Sequence, residues 1–457
     1  MKINKTSDTK LASIFPRLSM IHASLVVAFM TTCVGLCQIS LDIFVARKFG
    51  TGKEIDSFYL AFVLPSMLVN VLAGGTIIGA FLPAYVQTLT GSGEAPARQL
   101  LGETIFILFV WLLTTVVLLS ASYPILWEFA NTQYAIHARK LTIELSLTLL
   151  WFLLFSGLST LLCATLVARK RYVLSSLAPA LIPATALIFL VYARNEVEIQ
   201  MLAKGLVAGA AIQFLILAAT LVRGRLIQLS LRPLDLSRTR SLLAGYLWMM
   251  GTAGLLAGIT LVDQATAGSL ALGSVARLNF AVKLVNMFLA FLTVVVANTS
   301  LPYFSRMVLV SDWRLLWKEL RIILGVIFGL GVIASVVWIL FSEQVVHLVY
   351  ERGAFSHSDS VAVARIQSYY ALHIPFYMLG VVGIRMLNAI QRNDILILVA
   401  AFAFVTNIII NKLLVPTMGV EGIVLGKTAV YAFLTGSIIL FLRKILTTKN
   451  CEENSSA

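Results

Sequence analysis

Apolar runs of about 20 residues, each long enough to carry a helix through about 30 Å of hydrocarbon, recur along almost the whole of this chain. A window of about 19 residues marks twelve of them, near 22–46, 57–89, 101–121, 141–167, 172–193, 201–222, 241–269, 274–305, 322–342, 360–390, 395–416 and 421–442. A segment in lipid must bond its own backbone, and a helix does so. The expectation is an all-α integral membrane protein whose twelve transmembrane helices form two six-helix, pseudo-symmetric lobes around a central cavity.

Composition agrees. Of 457 residues 59% are hydrophobic and only 12% charged, with a mean hydropathy of +0.92, which excludes a soluble enzyme. The net charge of +14 reads as topology, because Lys and Arg collect in cytoplasmic loops; no nucleic-acid partner is implied. With a cytoplasmic N-terminus, the even-numbered gaps and both tails hold 21 Lys and Arg, among them Arg169, Lys170, Arg171, Arg223, Arg225, Arg232, Arg238 and Arg240. Both termini are therefore expected in the cytoplasm, although Arg47, Lys48 and Lys53 pull the other way. Lys2, Lys5, Lys10 and Arg17 precede the first run without an A-x-A cleavage pattern, so a retained helix is expected rather than a signal peptide. Cys33, Cys37, Cys163 and Cys451 form no disulfide framework and supply too few ligands for a metal.

The basic gap Arg223–Arg240 falls midway and divides an N-terminal lobe with its linker (1–232) from a C-terminal lobe with a cytoplasmic tail (233–457). Internal similarity supports the cut. Leu82-Pro83-Ala84-Tyr85 recurs 219 residues later as Leu301-Pro302-Tyr303-Phe304, each read as ending the second helix of its lobe, and the turn Ala168–Arg171 recurs 223 residues later at Gln391–Asp394. Six spans per copy leave both copies in one orientation, with a pseudo-twofold axis along the membrane normal.

Polar residues inside the apolar runs are the functional candidates, because lipid does not tolerate them. Asn279, Lys283, Asn286 and Thr293 fall at i, i+4, i+7 and i+14 of the eighth span, within roughly 80° of one face. Lys283 is a point cation suited to phosphate, or a snorkelling or paired lysine. Asp42, with Gln38 one turn earlier, and Asp263 are candidate partners for Lys283 or proton or cation carriers, or else solvated or capping carboxylates. The Phe44–Tyr85 stretch carries Asp56, Asn70, Gly74 and Gly75, where close packing, bending or a wet cavity is expected. Arg385 is a candidate cavity residue and Arg365 an interfacial one. Asn407 and Asn411 read as interhelical hydrogen bonders, Lys427 as structural, and Ser356-x-x-Asp359 as a capping box. No catalytic constellation or phosphate-cradling loop is present.

Three stretches carry a family resemblance: Ala46-Arg47-Lys48-Phe49-Gly50-Thr51-Gly52 running to Asp56; Ala61-Phe62-Val63-Leu64-Pro65 with Ala73-Gly74-Gly75; and Tyr350-Glu351-Arg352-Gly353-Ala354-Phe355. With helix number and spacing, the chain resembles the MviN/MurJ branch of the multidrug/oligosaccharidyl-lipid/polysaccharide exporter superfamily over nearly its whole length. The resemblance implies two six-helix lobes in an alternating-access V that moves an undecaprenyl-diphosphate-linked sugar, best known as lipid II. Cavity arginines of that branch match Leu41, Val69 and Lys283 here; acidic neighbours match Val282 and Asn286, and an acidic residue after the first turn matches Asp56. With only a short stretch after Leu442, the branch's two further C-terminal helices are not expected here.

The sequence reading is thus a flippase for lipid II or a related polysaccharide precursor in the bacterial inner membrane, not an enzyme. Lys283, Arg385, Asn70, Asn279 and Asn286 are the substrate-binding candidates, and Asp42, Asp56 and Asp263 the gating or ion-coupling ones. Expected partners are the lipid-linked glycan, membrane lipids and envelope-biosynthesis proteins. No cofactor or metal is expected, and coupling would be to membrane potential or a proton or sodium gradient. The rival readings are a drug or cation antiporter of the same superfamily and a nontransporting membrane scaffold.

Overall fold

The computed structural model describes residues 6–129, 133–192, 199–227, 236–310, 313–390, 392 and 394–456. Its helices are α1 (Thr6–Phe49), α2 (Lys53–Leu68), α3 (Gly75–Gly91), α4 (Glu94–Phe129), α5 (Gln133–Ala168), α6 (Tyr172–Leu177), α7 (Leu181–Tyr192), α8 (Ile199–Arg223), α9 (Leu236–Gly268), α10 (Ser274–Val310), α11 (Trp313–Tyr350), α12 (His357–Ala371), α13 (Ile374–Ala389), α14 (Asp394–Met418) and α15 (Val420–Ser456). Each of the twelve apolar runs falls on one long helix or on one interrupted helix. Among the described residues, nine helices are long and apolar enough to cross a membrane, or ten with the bent α12–α13 pair counted as one span.

The interruptions have local causes. A π-turn over Val69–Gly74 joins α2 to α3; it carries Asn70 and Gly74, where close packing, bending or a wet cavity was expected, and such single-turn insertions recur at functional sites. A 3₁₀ turn over Ala178–Ala180, with Pro179 in it, joins α6 to α7. The α12–α13 pair bends by 43° where Pro375, lacking an N–H, opens α13.

One detail corrects the expectations. Neither Leu-Pro repeat ends its helix: α3 continues to Gly91 and α10 to Val310, since a proline inside a membrane helix need not stop it. The closing aromatic of each repeat, Tyr85 or Phe304, is nonetheless fully buried.

The chain divides into two compact units, one of Met1–Phe44, Leu72–Pro124 and Ser146–Tyr246, the other of Val45–Val71, Ile125–Leu145 and Leu247–Ala457. The expected cut between 232 and 233 lies outside the described residues, as do Gln391 and Asn393 of the repeated turn. In the first unit a Cβ on Gly205 or Gly209 of α8 would stand 2.7 Å from the α7 backbone, so this Gly-x-x-x-Gly lets two helix backbones meet. In the same unit Leu162, Leu166, Ala178, Leu217, Leu221 and Leu226 form a core. Arg169 ties the same unit's turns together: its guanidinium donates to both Glu94 oxygens at 3.1 and 2.8 Å and to the Tyr85 hydroxyl at 2.8 Å.

In the second unit α9, α10, α11, α13, α14 and α15 bury a larger core that includes Ile259, Phe304, Leu320, Leu387, Val399, Val430 and Leu442. On α11, Val326, Leu330, Ile333, Val337 and Leu340 are all exposed, the surface a lipid-facing helix requires.

Candidate functional site

Two of the three resembling stretches meet at one junction of the second unit. Asp56, on the first turn of α2, is fully buried, and its two oxygens accept the backbone N–H groups of Gly273 and Ala276, each at 2.6 Å. These lie at the start of α10, where backbone donors have no helical partner and a negative charge is favoured. The Thr51 hydroxyl donates to Asp359 Oδ1 at 2.5 Å, and Arg277 stands 3.4 Å from the same oxygen. Asp359 and Ser356 form the expected capping box of α12. Ala354 N–H donates to the Arg47 carbonyl at 2.8 Å. Phe280 packs among Tyr350, Phe355 and Tyr59 at ring separations of 5.0, 5.5 and 6.0 Å. Two stretches some 300 residues apart, Ala46–Asp56 and Tyr350–Phe355, thus form one bonded structure around the α10 N-terminus.

From that junction the polar line of α10 runs down one face, and each member meets a different helix. Asn279 and Gln264 of α9 exchange amide hydrogen bonds at 3.0 and 3.2 Å. Lys283 donates to the Tyr59 hydroxyl of α2 at 3.3 Å, with its ammonium 5.0 Å from that ring's centre. Asn286, otherwise exposed, accepts from the Tyr370 hydroxyl of α12 at 2.9 Å. Thr293 reaches the Tyr377 hydroxyl of α13 at 3.4 Å.

A second polar cluster is buried deeper. Asp263 of α9 is 2% exposed and accepts the side-chain amides of Asn407 and Asn411 on α14, both at 3.0 Å on Oδ1. Its other oxygen is ion-paired with Lys427 of α15 at 3.1 Å. Around the lysine lie the rings of Tyr370, His373 and Tyr431, with His373 4.1 Å from Tyr370 and 5.4 Å from Tyr431, and Tyr377 packs on Tyr431 in turn. The Asn pair is interhelical, as its i, i+4 spacing led us to expect. The sequence neighbours of Lys427 suggest only a structural role; its burden as a lysine inside an apolar run is the signal that points to a buried acid.

Each remaining candidate has its own surroundings. Asp42 is buried on α1 and bonded to Gln38 at 3.3 Å. Asn70 is exposed within the π-turn. Arg385 is half-buried on α13, without a hydrogen-bond or ion-pair partner among the described residues. Arg365 is exposed and paired with Glu421 at 3.3 Å. Among the described residues no three His, Cys, Asp or Glu side chains group as metal ligands would. What the arrangement offers is a stripe of polar groups and one lysine, anchored above by Asp56 and stiffened behind by the Asp263 cluster.

Comparison with known proteins sets this geometry in a family. A probable lipid II flippase MurJ of Rhizobium meliloti is 24% identical over 412 residues, covering 88% of this chain and 76% of that protein. Its counterpart in Treponema pallidum is 23% identical, covering 93% and 82%. Among solved structures, a lipid II flippase MurJ in an inward closed conformation superposes with a TM-score of 0.77 at 19% identity, over 93% of this chain and 87% of the other. An inward-facing multidrug resistance MATE transporter does so at 0.78 and 14%, over 93% and 98%. The two superpositions establish the fold alone. The lipid II flippase MurJ family model matches residues 45–453, a stretch that contains every part of the junction, the polar line and the buried cluster, and the chain belongs to that family.

Proposed function

We propose that this multi-pass membrane protein is a flippase that carries a polyprenyl-diphosphate-linked glycan, lipid II or a related envelope polysaccharide precursor, across the bacterial inner membrane by alternating access. The observation that carries the reading is the family match over residues 45–453. The cargo is moved and not chemically changed, and both termini face the cytoplasm.

In this reading Lys283 is the principal contact for the diphosphate. Two of the three positions matched to family cavity arginines are the apolar Leu41 and Val69, which leaves Lys283 the cation of that set. Its contact with the Tyr59 ring contributes about 0.5–2 kcal/mol and can be exchanged for one to a phosphate oxygen. Arg385 adds a second cation; Asn279, Asn286 and Asn70 offer amides to sugar or phosphate oxygens. Asp56 acts in gating, because the junction it holds links the start of α10 to α2. Asp42 couples the cycle to a proton or sodium gradient or to membrane potential, and Asp263 braces α9, α14 and α15. Substrate, membrane lipids and envelope-biosynthesis proteins are the partners.

The test is replacement. Cells depleted of their own lipid II flippase are given this chain, its insertion is verified, and growth and lipid II translocation are followed. Rescue supports lipid II as cargo; failure with verified insertion removes lipid II and makes another lipid-linked glycan the substrate to look for.

A further inference from the structure

A buried carboxylate needs a counter-charge, and two kinds can supply it: a dissolved cation or a side chain. At Asp263 the structure holds the side chain. Asp263, Asn407 and Asn411 are 2%, 0% and 3% exposed. The two amide nitrogens both converge on Asp263 Oδ1, while the amide oxygens Asn407 Oδ1 and Asn411 Oδ1 are buried and receive no hydrogen bond. Two orphan oxygens beside a carboxylate are the hard ligands an alkali-type cation takes, and a half-turn of either amide would bring its oxygen to the position its nitrogen now fills. One carboxylate alone suits a monovalent ion. Lys427 Nζ already neutralises the same carboxylate from its other oxygen, 3.1 Å from Oδ2. The neighbouring rings, Tyr370, Tyr431 and His373, bring no carboxylate, and Glu421, earlier on the same helix as Lys427, is paired with Arg365.

We propose that Lys427 is a built-in cation occupying a site for a monovalent metal ion, so that this protein does not take up sodium at Asp263, and that removing the ammonium uncovers a sodium site formed by Asp263, Asn407 and Asn411. With one positive and one negative charge the cluster is neutral. A second cation would leave a net charge in apolar surroundings, which is strongly disfavoured. Ion coupling, if the transport cycle has it, then belongs elsewhere in the chain. The inference does not depend on which lipid is carried.

The full chain in lipid nanodiscs is melted, with tryptophan fluorescence as the readout, in sodium chloride and in equal choline chloride. The parent is expected to melt alike in both. Lys427→Ala and Lys427→Gln are expected to melt lower in choline and to gain roughly 3 °C or more, saturably, with sodium. The paired Asp263→Asn, Lys427→Met variant, with neither charge, is expected to fold without a sodium response. A saturable sodium effect in the parent that Asp263→Asn abolishes would overturn the proposal. So would either single variant folding without a sodium response. Failure of both single variants to fold in either salt, with the paired variant folding, would also overturn it, since the oxygens would then not hold the ion.

Discussion

Asp56→Ala removes one carboxylate that satisfies two backbone donors, Gly273 N–H and Ala276 N–H, each 2.6 Å away. Hydrogen bonds to a charged group contribute about 1.5–3 kcal/mol each, and the charge adds about 0.3–1 kcal/mol at a helix N-terminus. Part of this is returned, because the cost of burying the carboxylate disappears and water can enter the vacated space. About 2–4 kcal/mol of local stability should be lost. Amide hydrogen exchange reads this directly: at about 1.4 kcal/mol per decade, the peptide spanning Gly273 and Ala276 should exchange roughly 30- to 1,000-fold faster. A peptide around Gly205 and Gly209, in the other unit, serves as the unaffected reference. Asp56→Asn keeps one acceptor oxygen and should fall between parent and Asp56→Ala. Exchange in Asp56→Ala within threefold of the parent would refute the capping role and, with it, the gating role given to this residue.

Gly273→Ala should destabilise by about 2–4 kcal/mol, measured as a lower melting temperature, because φ is +88° and the new Cβ would stand 2.7 Å from the Thr51 carbonyl oxygen; an unchanged melt would mean that the loop yields. Lys283→Ala should insert normally and shift stability by less than about 2 kcal/mol yet abolish rescue of flippase-depleted cells, and normal rescue would remove Lys283 from the mechanism. Arg169→Ala breaks the bonds to Glu94 and Tyr85; because Glu94 is half exposed, the loss should be only about 1–2 kcal/mol, and Tyr85→Phe, checked by the same melt, should reproduce part of it. Asn279→Ala strands the Gln264 amide and should lower the melting temperature by the equivalent of about 0.6–1.7 kcal/mol.

Much of the architecture was legible in the chain. Run length marked the spans, because the thickness of hydrocarbon sets how many apolar residues a helix needs. Ser356 and Asp359 announced the start of α12, since a capping box is complete within four residues. The polar face of α10 followed from spacing, because a regular helix converts intervals of four, seven and fourteen residues into angles. Gly74 and Asn70 marked a stretch that is packed, bent or wet, but not that a π-turn interrupts the run there. Helix ends were less legible: the prolines at 83 and 302 suggested stops, yet both helices run on.

What the sequence by itself determined was which segments are long and apolar enough to cross a membrane and which of their residues lipid would not accept. What only the tertiary structure decided was who meets whom. Asp56 reaches Ala276 across 220 residues, Thr51 reaches Asp359 across 308, and Asp263 finds Asn407, Asn411 and Lys427 on two other helices. Periodicity along one helix says which way a polar group points, but not what stands opposite. A buried charge or amide takes as partner whichever complementary group the packing of whole helices brings within about 3 Å, and that packing is set by side-chain shape over many residues at once.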